Sequence, residues 1–192
     1  MARANNDTKT ILILGDSLSA EYGLRRGSGW VALMSARLQK KAYAIKTVNA
    51  SISGDTTSGG RSRLPGLLGR HQPDFLVIEL GANDALRGLA LAQTRENLQA
   101  MARAGKKAGA RVMLIGMQVP PNYGREYNQR FAEVFADVAR LEGSALVPFM
   151  LRGVADIANS KSLFQNDQIH PNESAHPIIL ETIWAEMEKW LR

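Results

Sequence analysis

Apolar residues along this chain come in short unbroken runs, separated by glycine-rich turns and by stretches with helical spacing. Residues 11–14 (Ile-Leu-Ile-Leu) are apolar throughout and stop at Gly15. Residues 75–80 (Phe-Leu-Val-Ile-Glu-Leu) are entered through Gln72-Pro73-Asp74 and left at Gly81. Runs of this length between turn residues predict strands buried on both faces. Further strands are predicted over 44–50, 111–116 and 145–147. Between the first two, Trp30, Leu33, Met34 and Leu38 keep one helical face apolar. Helices are also predicted over 94–108, stopped by Gly109, over 127–141, stopped near Gly143, and over 174–191. The last of these carries Pro177, which a helix tolerates only in its first turn, where the missing N–H costs nothing.

Strands alternating with helices make βαβ units and hence a parallel sheet covered on both faces. The expectation is one three-layer α/β domain over 1–192, with 1–9 as a flexible lead-in. No repeat, low-complexity tract or linker breaks it. Ligands of such sheets sit beyond the carboxyl ends of the strands. The segments to read for chemistry are therefore those that follow each strand: Gly15-Asp16-Ser17-Leu18, 49–55, Gly81-Ala82-Asn83-Asp84, 118–123, and the loop before His170.

Composition narrows the classes. The 192 residues are 45% hydrophobic and 22% charged, as in a globular domain with a proper core. No apolar run approaches the ~20 residues that cross a bilayer, so no integral membrane segment is expected. The first ten residues are polar and lack the apolar centre of a signal peptide, which fits a cytoplasmic chain or a mature form without its leader. With no cysteine there is no disulfide, no thiolate metal site and no cysteine nucleophile. The net charge of +6 is spread over scattered pairs such as Arg25-Arg26 and Lys106-Lys107, and aromatics are only 6%. That is a solvated basic surface with some steering of anionic substrates, and it does not read as a nucleic-acid stripe.

Ser17 stands at the tip of the first strand, where backbone N–H groups lack helical partners and can help hold an oxyanion. Asp and Ser are also ordinary turn and cap residues there, and the G-x-S-x-G elbow of α/β-hydrolases is absent. A hydroxyl nucleophile needs a base, and the chain has three histidines. His71 falls in a polar loop at the wrong edge of the sheet, and His176 sits beside Pro177. His170 lies in Asp167-Gln-Ile-His170-Pro171, where an acid three residues ahead can fold back onto Nδ1–H and leave Nε2 to take the serine proton. Asp-x-x-His is otherwise a loop pair or half a metal site, but no further ligand stands at metal spacing. Asn83 follows a buried strand, with its carboxamide either aimed at a developing oxyanion or closing an Asx turn. Gly54, in Ser53-Gly54-Asp55, allows close approach of the backbone to a substrate.

In this order the four blocks resemble the SGNH, or GDSL, hydrolase family, from Thr10 to about Trp190. The resemblance implies Ser17 as nucleophile, His170 as base, Asp167 orienting it, and an oxyanion hole from the Ser17 and Gly54 amides and the Asn83 side chain. Longer stretches resemble the bacterial thioesterase I/lysophospholipase group: 48–56, 63–68, 78–88 and 120–125. That implies a flavodoxin-like α/β/α sandwich with five parallel strands in the order 2-1-3-4-5. It also implies cleavage of acyl esters, acyl-CoA thioesters and lysophospholipids, with no cofactor or metal, a periplasmic location and a monomer. A carbohydrate O-deacetylase and an inactive binding module are the alternatives. The chain departs from the group at Ala82 and Ala85, where glycines are usual, and at Glu21 and Gln168. Ala82, Asp84, Ala85 and Leu86 are expected to border the acyl groove, on a loop that the two alanines stiffen towards short and medium chains.

Overall fold

The computed structural model describes residues 8–192. Residues 1–7 of the expected lead-in lie outside the described residues, and Lys9 already belongs to a strand. Strand β1 (Lys9–Gly15) runs between β2 (Ile45–Asn49) and β3 (Phe75–Glu79). Beyond β3 come β4 (Arg111–Ile115) and β5 (Ala145–Val147), all parallel, in the order β2-β1-β3-β4-β5. Ile11 is opposite Thr47 on one side and Phe75 on the other, and Gly15 is opposite Glu79. The sheet is extended first to one side of β1, by β2, and then to the other, by β3, and the cleft of a doubly wound sheet opens at the switch point between β1 and β3.

Helices α1 (Trp30–Lys40) and α6 (His176–Leu191) pack together on one face. On the other, α2 (Thr57–His71) and α5 (Arg125–Glu142) flank α4 (Leu91–Lys107). A short helix, α3 (Ala82–Leu86), follows β3. The core is the sandwich filling: Ile11 to Leu14, Phe75 to Ile78 and Val112 to Ile115 from the sheet, with Trp30, Leu98, Phe131 and Ile183 from the helices. Among the described residues no helix is long and apolar enough to cross a membrane.

Helix α2 is the one long element that periodicity does not predict, since it contains Pro65 and four glycines. Two features hold it. The Thr56 side chain accepts the Gly59 N–H at 3.3 Å as an N-cap, and Leu64 and Leu68 are buried. Gly60 lies so close to the sheet that a β-carbon there would collide with Leu80. A residue that weakens the helix by about 1 kcal/mol relative to alanine is thus what lets the helix pack.

Candidate active site

The carboxyl end of β1 turns sharply. The Ser19 and Ala20 amides both donate to the Asp16 carbonyl (3.2 and 2.9 Å), and Leu18 N–H donates to the Asp16 side chain at 3.0 Å. This turn presents Ser17 half-buried at the mouth of the cleft. His170 reaches it across 153 positions of sequence, with Nε2 3.0 Å from the Ser17 hydroxyl. On the other side of the ring, Nδ1 is 2.7 Å from Asp167 Oδ2. The spacing of three works because Asp167 closes a tight turn. Its Oδ1 accepts the backbone N–H groups of Ile169 (2.9 Å) and His170 (3.0 Å), and Gln168 between them takes a left-handed φ of 56°. What desolvation there is raises the Asp167 carboxyl. The bonds from His170 and Ile169 outweigh it and hold the carboxyl at about 2, so it is a carboxylate at any working pH.

Gly54 lies on the turn after β2, at φ +78°. Ile52 N–H ties that turn to the Gly15 carbonyl at 3.0 Å, and Arg87 donates to the Gly54 carbonyl at 2.7 Å. Arg63 of α2 ties the same corner, bonding to Asp55 at 2.8 Å, to the Ala50 carbonyl, and to the Gly15 carbonyl at 3.3 Å. Neither the Ser17 nor the Gly54 amide meets an acceptor among the described residues. Asn83, in the first turn of α3, donates through Nδ2 to Asp16 Oδ2 at 3.0 Å. That contact leaves its second amide hydrogen free.

Two residues expected at the acyl groove are not there. Asp84 is 1% exposed; its carboxylate accepts Thr57 N–H at 2.9 Å, the Thr57 hydroxyl, and the Thr94 hydroxyl at 3.3 Å. It pins α2, α3 and α4 together and faces away from solvent. Ala85 is also 1% exposed and packs in the core. The cause is that 82–86 coil into α3, which turns the face carrying Asp84 and Ala85 inward instead of lining these residues along a loop. Ala82 is half-buried and Leu86 exposed, so these two remain available to a ligand.

Three functional or supporting residues escape the sequence reading. Asp16 looks like a turn residue, but it is 1% exposed and joins the nucleophile turn to Asn83. Burial pushes its carboxyl upwards, against the bonds from Leu18 and Asn83. Glu79, the single charge in an apolar strand, was a visible signal. Its Oε2 accepts the Ser19 hydroxyl at 2.7 Å, Trp30 Nε1–H donates to that same hydroxyl at 3.1 Å, and burial next to Asp16 drives the carboxyl well above its ordinary range. His176 is buried, and its Nδ1 accepts the Trp30 backbone N–H at 3.0 Å. His71 closes α2, just ahead of β3 and so at the opposite end of the sheet from Ser17.

A serine, an imidazole and a carboxylate in line, beside unpaired amides at the switch point of a parallel sheet, define a serine hydrolase of acyl bonds. Residues 13–178 match the GDSL-like Lipase/Acylhydrolase family, and the chain belongs to it. It is 48% identical to Esterase TesA of Pseudomonas aeruginosa over 183 residues, which cover 95% of this chain and 90% of the relative. It is 39% identical to Thioesterase 1/protease 1/lysophospholipase L1 of Escherichia coli over 179 residues, 93% of this chain and 83% of that one. A crystal structure of TesA superposes with a TM-score of 0.91 at 48% identity, covering 94% of this chain and 99% of that chain. The protein is an ester hydrolase.

Proposed function

We propose that the chain cleaves acyl esters and acyl thioesters through an acyl-enzyme, with Ser17 as nucleophile, His170 as base and Asp167 as the group that orients it. The observation that carries this is the unbroken line from Asp167 to His170 (2.7 Å) to Ser17 (3.0 Å). Ser17 Oγ attacks the carbonyl carbon while His170 Nε2 takes its proton. The carbonyl oxygen becomes an oxyanion facing the Ser17 and Gly54 N–H groups and the free hydrogen of Asn83. On collapse, the imidazolium gives its proton to the departing alcohol or thiol. Water then attacks the acyl-enzyme by the same route, and the acid leaves. Asp167 stays ionised throughout and fixes the tautomer.

The substrates we propose are short to medium acyl esters, acyl-CoA thioesters and lysophospholipids, in a periplasmic setting. The names of the two relatives support the bond types. Exposed Tyr22, Ile52, Leu86, Tyr123 and Ile169 all lie on segments leaving the carboxyl ends of the strands, and an apolar rim suits an acyl chain better than a sugar. The test is labelling with a fluorophosphonate followed by peptide mapping, together with rates across acyl lengths on nitrophenyl esters and acyl-CoAs. One adduct on the Ser17 peptide, absent in Ser17→Ala, is expected. An adduct on Ser51 or Ser53 would overturn the assignment.

A further inference from the structure

One aromatic side chain lies against the imidazole. The Tyr22 ring centroid is 4.4 Å from that of His170, with the two planes tilted by 41°. Asp167 grips the imidazole at Nδ1 alone, and a ring held at one edge can still pivot about that bond and swing Nε2 away from the serine. A second contact, on the ring face, removes that freedom. Tyr22 is itself 49% exposed, so burial in the core does not explain why its ring stays where it is.

What holds it is a pair of anchors on either side. The preceding residue, Glu21, is in the left-handed region at φ 60°, which is unfavourable for a non-glycine residue. The side chain that a glycine would lack offsets this cost. Glu21 Oε1 accepts N–H groups from Gly27 (3.0 Å) and Gly29 (2.8 Å), and Oε2 accepts Gly27 again at 3.1 Å. On the other side, Gln165 Nε2 donates both to the Tyr22 carbonyl at 2.9 Å and to the Pro171 carbonyl at 3.1 Å. The Gln165 N–H donates to the His170 carbonyl at 2.8 Å. One glutamine thus ties the backbone beneath the tyrosine to the carbonyls of His170 and of Pro171 after it. Gly23 makes room for it, since a β-carbon there would collide with the Gln165 amide.

We propose that Tyr22 is a positioning residue for hydrolysis: its ring, set by Glu21 and Gln165, holds the His170 imidazole in line with Ser17 and stabilises the imidazolium that forms on proton transfer. This rests on the triad reading given above. An aromatic face within ~6 Å of a partly exposed cation is worth a few-fold in an equilibrium. With the alignment included, the contribution to kcat should be roughly three- to tenfold.

Nitrophenyl acetate is the substrate for the test, because an acetyl group is too short to use an acyl groove. Tyr22→Leu should lower kcat by about three- to tenfold with KM within about twofold, and should slow Ser17 phosphonylation by a similar factor. Tyr22→Phe, which keeps the ring, should restore both. Glu21→Gly keeps the backbone turn but frees the loop, and should show a smaller loss of the same kind. Unchanged acetate turnover in Tyr22→Leu, with only long-chain KM raised, would make Tyr22 a groove wall and end the proposal. So would a Tyr22→Phe as slow as Tyr22→Leu. A wild type that takes no adduct on Ser17 would remove the triad assignment and this proposal with it, so the two failures are distinct.

Discussion

His176 should make folding sensitive to acid in a way that one substitution isolates. The ring is 2% exposed at the start of α6 and accepts the Trp30 N–H that begins α1. Burial pushes its imidazole from 6.5 down to about 4, although the Glu21 carboxylate, the Pro171 carbonyl and the Glu173 carboxylate pull the other way. The folded protein therefore keeps the ring neutral between these values, whereas the unfolded chain protonates it. Stability from this source is complete above pH 6.5, falls as pH drops, and is gone by about pH 4. At ~1.4 kcal/mol per pH unit of displacement, it amounts to about 3 kcal/mol. Asp16 and Glu79, raised by burial, act with the opposite sign, so the wild-type curve alone mixes the effects. His176→Asn keeps an acceptor near Trp30 N–H but cannot titrate. Urea unfolding of both proteins from pH 4 to 7 should show the variant's deficit shrinking by about 3 kcal/mol towards the acid end. Parallel curves would refute the reasoning.

Three further outcomes follow from the site. Asn83→Ala should lower kcat by ~10²–10³ with little change in KM. Asp16→Asn presents an amide where Asn83 needs an acceptor, so it should lose part of that factor, and the double variant should be no slower than Asn83→Ala alone; simple multiplication of the two losses would show that they act separately. Ala82→Gly with Ala85→Gly should loosen α3, lower stability by about 1–2 kcal/mol and shift the ratio of kcat/KM towards longer nitrophenyl esters. An unchanged ratio would mean that α3 does not set the chain length.

The sheet was legible because its strands are continuous apolar runs of the right length, and Ala145–Val147 was found to the residue despite being only three long. Asp167 and His170 were legible because a local turn brings them together, so their spacing carries the geometry. Helix α2 was not, since it carries four glycines and Pro65, and what Gly60 does, close packing against Leu14, Leu80 and Met101, is a tertiary demand that local propensity does not show. Asp16 and His176 do not show their roles in the sequence for a related reason. Each resembles a common surface residue in its local sequence, and only burial by distant segments gives it partners. The departures at Glu21 and Gln168 look arbitrary in sequence, but both residues have a positive φ, the conformation for which a glycine would be the usual choice.

The distance in sequence between Ser17 and His170 also bears on when the enzyme first becomes active. The nucleophile is made early in synthesis and its base 153 residues later. The histidine loop is in turn held by Gln165 and, through His176, by the start of α6. A chain with β1 to β4 already paired therefore holds Ser17 in its turn without His170 beside it. The Ser17–His170 contact thus closes the fold from its two ends, where the turn after β1 meets the loop ahead of the helix that packs on α1.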